Sequence, residues 1–133
     1  PYDWLHIESS FETVTGRNTN GSNLPLIPAN NWTNTLRIEF TGKKLVSKGF
    51  ARLDIVTAFD QNNVGQFESE SEGYTLFNCG FGATVKAGKA IFDVSLNGSN
   101  LLNKSYIAHL SRLKTDGIPN IGRNIILGLN FKM

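Results

Sequence analysis

The stretch Asn31-Trp32-Thr33-Asn34-Thr35-Leu36-Arg37-Ile38-Glu39-Phe40-Thr41 decides the fold. Trp32, Leu36, Ile38 and Phe40 fall on one side of an extended chain, and Thr33, Thr35, Arg37 and Glu39 fall on the other. Side chains alternate across a strand with a period of two, whereas a helix would scatter this set around its circumference. The stretch therefore predicts a strand over 31–41 with one apolar and one polar face.

The same pattern recurs on both sides of it. Trp4–Thr15 sets Leu5, Ile7, Phe11 and Thr13 against His6, Glu8, Ser10 and Glu12. Gly49–Asp60 sets Ala51, Leu53, Ile55 and Phe59 against Arg52, Asp54 and Ala58. Tyr74–Lys86 sets Phe77, Cys79, Phe81, Ala83 and Val85 against Asn78, Gly80, Gly82 and Thr84. Ala90–Asn97 sets Phe92, Val94 and Leu96 against Asp93, Ser95 and Asn97. Asn124–Met133 sets Ile125, Leu127, Leu129, Phe131 and Met133 against Asn124, Gly128, Asn130 and Lys132. The reading is all-β, an antiparallel up-and-down meander of about six strands.

The connections alternate in length. Those over 16–30, 61–73 and 98–123 are long, and those over 42–48 and 87–89 are short. In the longest, Leu102, Tyr106, Leu110 and Leu113 have helical spacing, Asn103 or Ser105 could cap the start, and Gly117 with Pro119 marks a stop. This predicts a short helix or helical turn there.

Composition narrows the function classes. The 133 residues suit one domain. Charged residues make up 18%, below the ~25% usual for soluble domains. A net charge of +2 without a basic stripe argues against nucleic acid. A single cysteine, Cys79, excludes an internal disulfide framework and a Cys-rich zinc site. No apolar run is long enough for a transmembrane helix, although transmembrane strands show only alternation. The chain opens Pro1-Tyr2-Asp3 with no signal peptide, as expected of a processed terminus or a boundary within a longer protein. Two architectures fit: one segment of a membrane barrel wall, or a soluble β-sandwich or small barrel that binds carbohydrate or protein with its apolar face turned inward.

Further motifs carry a resemblance. They are Leu26-Ile27-Pro28 ahead of a strand, Gly73-Tyr74-Thr75-Leu76-Phe77-Asn78 opening one, Asn100-Leu101-Leu102-Asn103-Lys104-Ser105-Tyr106 closing another, and Gly122-Arg123-Asn124 starting the last. In this order, across about residues 25–133, they resemble the C-terminal end of the β-barrel of TonB-dependent outer-membrane receptors. His109-Leu110-Ser111-Arg112-Leu113-Lys114 is similar to receptors of Bacteroidetes-type bacteria. The resemblance implies a single segment, 1–133, of a 22-stranded transmembrane barrel in the bacterial outer membrane, with the plug domain and most of the barrel lying outside it. At about 22 residues per strand the whole barrel would need roughly 490 residues. It implies active transport of a scarce nutrient, an iron-siderophore or haem-like ligand. Its implied partners are the rest of the barrel and plug, the TonB complex through the missing N-terminal part, outer-membrane lipid and the barrel-assembly machinery. The long loops would be extracellular.

The resemblance also implies site residues. Trp32, Leu36, Ile38, Phe40, Leu53, Ile55, Phe59, Phe92, Val94, Leu96, Ile125, Leu127 and Leu129 would face lipid. Trp32, Phe59 and Tyr74 would lie near the outer rim, and Trp4, Phe40 and Phe131 near the inner one. The family usually ends on an aromatic residue that assembly machinery reads; here Phe131 and Met133 stand in that position. His109, Tyr106 and Arg112 are the candidates to touch a ligand at the extracellular mouth.

No nucleophile–base pair or metal motif stands out, so the reading is not an enzyme, with no catalytic residue, metal or cofactor. Glu68, Glu70 and Glu72 would share one face of an extended segment and suit a hard cation, or simply form a solvated acidic loop. Arg37, Glu39, Arg52 and Asp54 share polar-face parity and could form ion pairs in a lumen or on a wet surface. Lys43, Lys44, Lys48, Lys86 and Lys89 make both short turns basic.

Overall fold

The structure, a computed structural model, describes residues 2–42, 45–88 and 90–132. Six strands run in chain order: β1 (Leu5–Glu12), β2 (Asn31–Thr41), β3 (Val46–Ala58), β4 (Tyr74–Ala87), β5 (Ala90–Ser99) and β6 (Asn124–Lys132). They form one antiparallel sheet in which each strand pairs with the next, β1 through β6. No second layer packs on it among the described residues.

The strand ends differ modestly from expectation. β1 stops at Glu12, short of Thr15, because its last partner is Asn31, and Pro28 just upstream has no amide to extend the ladder. β3 begins at Val46, ahead of Gly49, since Val46 already pairs with Val85. A bulge between Val46 and Lys48 absorbs the extra residue, and Ser47 Oγ donates to the Thr84 carbonyl at 3.2 Å. β3 ends at Ala58, and β5 runs on to Ser99. Met133 lies outside the described residues, as do Lys43, Lys44 and Lys89.

The expected helix is absent. Residues 108–117 make turns: Ser111 N donates to Ala108 O, Lys114 N to Ser111 O and Gly117 N to Lys114 O. The groups a helix would need are used elsewhere. Asn120 Oδ1 takes the Ala108 amide at 2.9 Å, and Asn120 N donates to the Tyr106 carbonyl. Asn100 binds both the amide and the carbonyl of Lys104 at 2.8 Å. Asn side chains compete with helix for backbone partners, and here they win.

The register assembles one continuous apolar face. Ile7, Leu36, Leu53, Cys79, Gly98 and Ile125 form one row across it, and Leu5, Ile38, Ala51, Phe81, Leu96 and Leu127 the next. The residues expected on the lipid side share this face by register, except Phe59, which lies just past β3 and reaches it through Phe11. Aromatics collect at its two ends. Towards the long loops lie Phe11, Trp32 and Phe59, with Phe11 and Phe59 ring centroids 6.0 Å apart. Towards the short turns, Phe40 stacks on Phe81 at 6.1 Å and Phe92 meets Phe131 at 5.0 Å. Trp4 packs on Tyr2 and does not join this row.

Two glycines fix close contacts, one on each face. On the apolar face the Phe40 ring lies over Gly49; on the polar face the Phe50 ring lies over Gly82, where any Cβ would collide with it. The Arg37 guanidinium sits 4.1 Å above that Phe50 ring.

None of the described residues covers the apolar face. Ala58 is the only buried hydrophobic residue among the described residues, while Ile7 is 75% and Leu127 73% exposed. The accessible surface is 9836 Å², against about 6,900 Å² for a compact folded chain of this mass.

Candidate functional site

Antiparallel order brings the three long connections to one end of the sheet, where they knit into a cap. The first two join through Gln61, whose Nε2 donates to the carbonyls of Ile27 and Pro28 at 3.0 Å. Glu68 strengthens that join. Its carboxylate accepts the Leu26 amide at 2.7 Å and the Gly65 amide at 2.9 Å. These two amides, Gly65 first, hold the Glu68 carboxyl below the usual carboxylate range.

The third loop is shaped by its Asn-Leu-Leu-Asn sequence. Asn100 and Asn103 both have positive φ, 49° and 53°, a region that asparagine tolerates better than most residues. Asn103 Oδ1 then accepts the Arg123 amide at 3.0 Å, closing the loop onto the start of β6. Asn100, 3% exposed, also takes Asn78 Oδ1 on its amide at 2.9 Å.

An open cavity of about 520 Å³ lies between the second and third loops, lined among others by Glu70, Ser71, Glu72, Tyr74, Lys104, Tyr106 and Lys114. The Tyr74 and Tyr106 rings pack with centroids 4.3 Å apart. The lining mixes aromatic rings, two ammonium groups and two carboxylates. It suits a polar ligand that stacks and hydrogen-bonds at once.

Of the candidate ligand contacts, Tyr106 lines this cavity and His109 borders it beside Ser71, Glu72 and Tyr74. Arg112 is exposed and lies outside it. His109 Nδ1 is 2.8 Å from Ser71 Oγ and 3.1 Å from Lys114 Nζ. Lys114 Nζ also donates to the Ser69 carbonyl. An ammonium only donates, so Nδ1 is an acceptor and the imidazole is neutral with its proton on Nε2. Burial, then the Lys114 charge, holds His109 below its ordinary value, and Glu68 pulls the other way. The Ser71–His109 distance is that of a nucleophile and base, but Lys114 competes for the lone pair that would take the serine proton.

The acidic triplet does not converge. Glu68 is engaged by Leu26 and Gly65, and among the described residues no group of three His, Cys, Asp or Glu side chains is placed to hold a metal ion. The charged polar-face residues pair along their own strands. Arg37 Nε meets Glu39 at 2.9 Å, and Arg52 Nε meets Asp54 at 2.7 Å. Thr35 Oγ1 also donates to Asp54 at 2.7 Å.

Lys104 and Lys114 appear in the sequence only inside longer motifs, and neither they nor Ser71 are singled out there as ligand contacts. They are ordinary loop residues, and only the meeting of two distant loops gives them a role. No family model matches the chain.

Proposed function

We propose that the chain forms six strands of the wall of a TonB-dependent outer-membrane receptor, one that imports an iron-siderophore or haem-like ligand. The observation that carries this reading is the uncovered apolar face bounded at both ends by aromatic rows. Trp32 and Phe40 are separated by about 27 Å of strand at about 3.4 Å per residue. At a tilt of about 40° that is about 20 Å of height, close to the roughly 25 Å apolar band of outer-membrane barrels and its aromatic girdles. The long loops at one end and short turns at the other follow the same habit.

The sheet edges support closure by further strands. Among the described residues β1 pairs only with β2, and β6 only with β5. In hydrocarbon every unpaired backbone group is costly, so such a sheet spans only within a closed barrel. The remaining strands of a 22-stranded wall, a plug inside it and TonB beneath it are the partners this reading requires. The polar face, with its Arg37–Glu39 and Arg52–Asp54 pairs, would look into the lumen. The cap would stand outside the cell, with Tyr106 and His109 at the ligand's entrance. Phe131, on the apolar face of β6, would serve the assembly signal. No helix among the described residues is long and apolar enough to cross a membrane, and strands would do the crossing.

The test is the size and partitioning of the native gene product, detected in fractionated cells with an antibody against residues 117–123. A heat-modifiable outer-membrane band several times larger than 14.7 kDa is expected. A soluble band near that mass would overturn the reading.

A further inference from the structure

We propose that His109 and Lys114 form a proton-released latch between the 59–73 and 100–123 loops, closed at neutral pH and opened by acid. The latch is made of three contacts. Ser71 Oγ and Lys114 Nζ both meet His109 Nδ1, at 2.8 and 3.1 Å, and the same ammonium holds the Ser69 carbonyl. Lys114 thus ties its own loop to the backbone of the neighbouring one, and neutral His109 supplies its second acceptor.

A proton on Nδ1 undoes this at one atom. The lone pair that accepts from Lys114 and Ser71 disappears, and two cations then stand about 3 Å apart. Ser71 can rotate its hydroxyl and accept from the imidazolium. Lys114 has no such option, because an ammonium cannot accept.

The other charges nearby do not reverse the sign. On the 59–73 loop, Glu68, Glu70 and Glu72 favour an imidazolium; Glu68 is the one that pulls His109 upward, and its carboxylate is already engaged by two amides. On the 100–123 loop, Lys104 and Lys114 oppose it. Burial pushes the Tyr74 hydroxyl up, so it adds no charge beside the imidazole. Burial and Lys114 together outweigh Glu68, so His109 stays below its ordinary value. A closed latch then binds fewer protons than an open one. Closure is complete above the free imidazole value of about 6.5 and weakens as pH falls below it.

Lys114, Ser69 and Ser71 all line the large cavity, so opening the latch moves one of its walls. The cavity would hold its shape in neutral surroundings and loosen in acid. This depends on loop geometry alone and stands whatever spans beneath it.

The experiment is hydrogen exchange on the intact native gene product at pH 7.5 and 5.0, read as protection factors for residues 108–117. Wild type is expected to lose roughly tenfold protection in acid, the scale of one hydrogen bond to a charged group. His109→Gln, which cannot take a proton, is expected to show equal protection at both pH values. Unchanged wild-type protection, or an undiminished acid effect in His109→Gln, overturns the latch. Should that variant misfold, 15N-histidine spectra of wild type decide. An unprotonated Nδ1 at pH 7.5 with a titration midpoint below about 6.5 supports the latch, and a protonated Nδ1 or a higher midpoint overturns it.

Discussion

The sheet and the loop cap are held together by opposite means. The sheet is a backbone ladder whose large apolar side chains stay exposed, with Ala58 alone buried among the described hydrophobic residues. The cap has little apolar packing and is tied by side chains that bind backbone: Gln61, Glu68, Asn100, Asn103 and Asn120. Among the described residues the buried polar ones are Asp54, Gln61 and Asn100. A water-soluble domain sorts its residues the other way, with apolar groups inside. The inversion sets a cap tied by its own polar side chains beside a sheet whose apolar side chains remain exposed.

The comparison breaks most readily at the sheet's apolar face. Leu53→Arg places a charge at mid-height there and is expected to cost about 2–4 kcal/mol in a bilayer. Thr33→Arg, on the polar face, should cost under about 1 kcal/mol. Equilibrium urea unfolding of the intact protein in lipid vesicles measures both. Equal costs would show that the two faces see the same surroundings and would remove the basis for a membrane wall.

The cap breaks next. Asn100→Ala removes two bonds to Lys104 and puts alanine at φ 49°. The expected local loss is about 2–3 kcal/mol. Asn100→Gly keeps the backbone relaxed and should lose only about 1–2 kcal/mol. Hydrogen exchange of residues 101–106 reads both. Identical losses would mean that backbone strain at this position is immaterial.

How much could be read in advance follows the same division. The period-two pattern of Asn31–Thr41 placed β2 to the residue, and the apolar parities of all six strands survive in the register. Alternation is a local signal set by strand geometry, so it needs no partner to be visible. The cap carries no such signal. Leu102, Tyr106, Leu110 and Leu113 mimic a helix, yet Asn100 and Asn120 take the backbone groups a helix would use. Ser71 meets His109 across two loops, a contact no spacing rule encodes. Of the three residues chosen by type, Tyr106 lines the cavity between the loops and His109 borders it, whereas Arg112 lies outside it.

The smallest expected effect tests what lies against the polar face. Arg37 pairs with Glu39 at 2.9 Å and covers the Phe50 ring at 4.1 Å, with side chains 36% and 47% exposed for the ion pair. A half-wetted pair of this kind contributes about 1 kcal/mol or less, and salt screens it. Arg37→Met keeps the stem over Phe50 and removes the charge. Its cost should therefore stay below about 1 kcal/mol and shrink further as ionic strength rises from about 0.05 to 0.5 M. A cost matching Asn100→Ala, insensitive to salt, would mean that Arg37 is desolvated in the intact protein. The polar face would then be packed against another part of that protein instead of lining water, and the difference between the two faces would be one of which partner covers each.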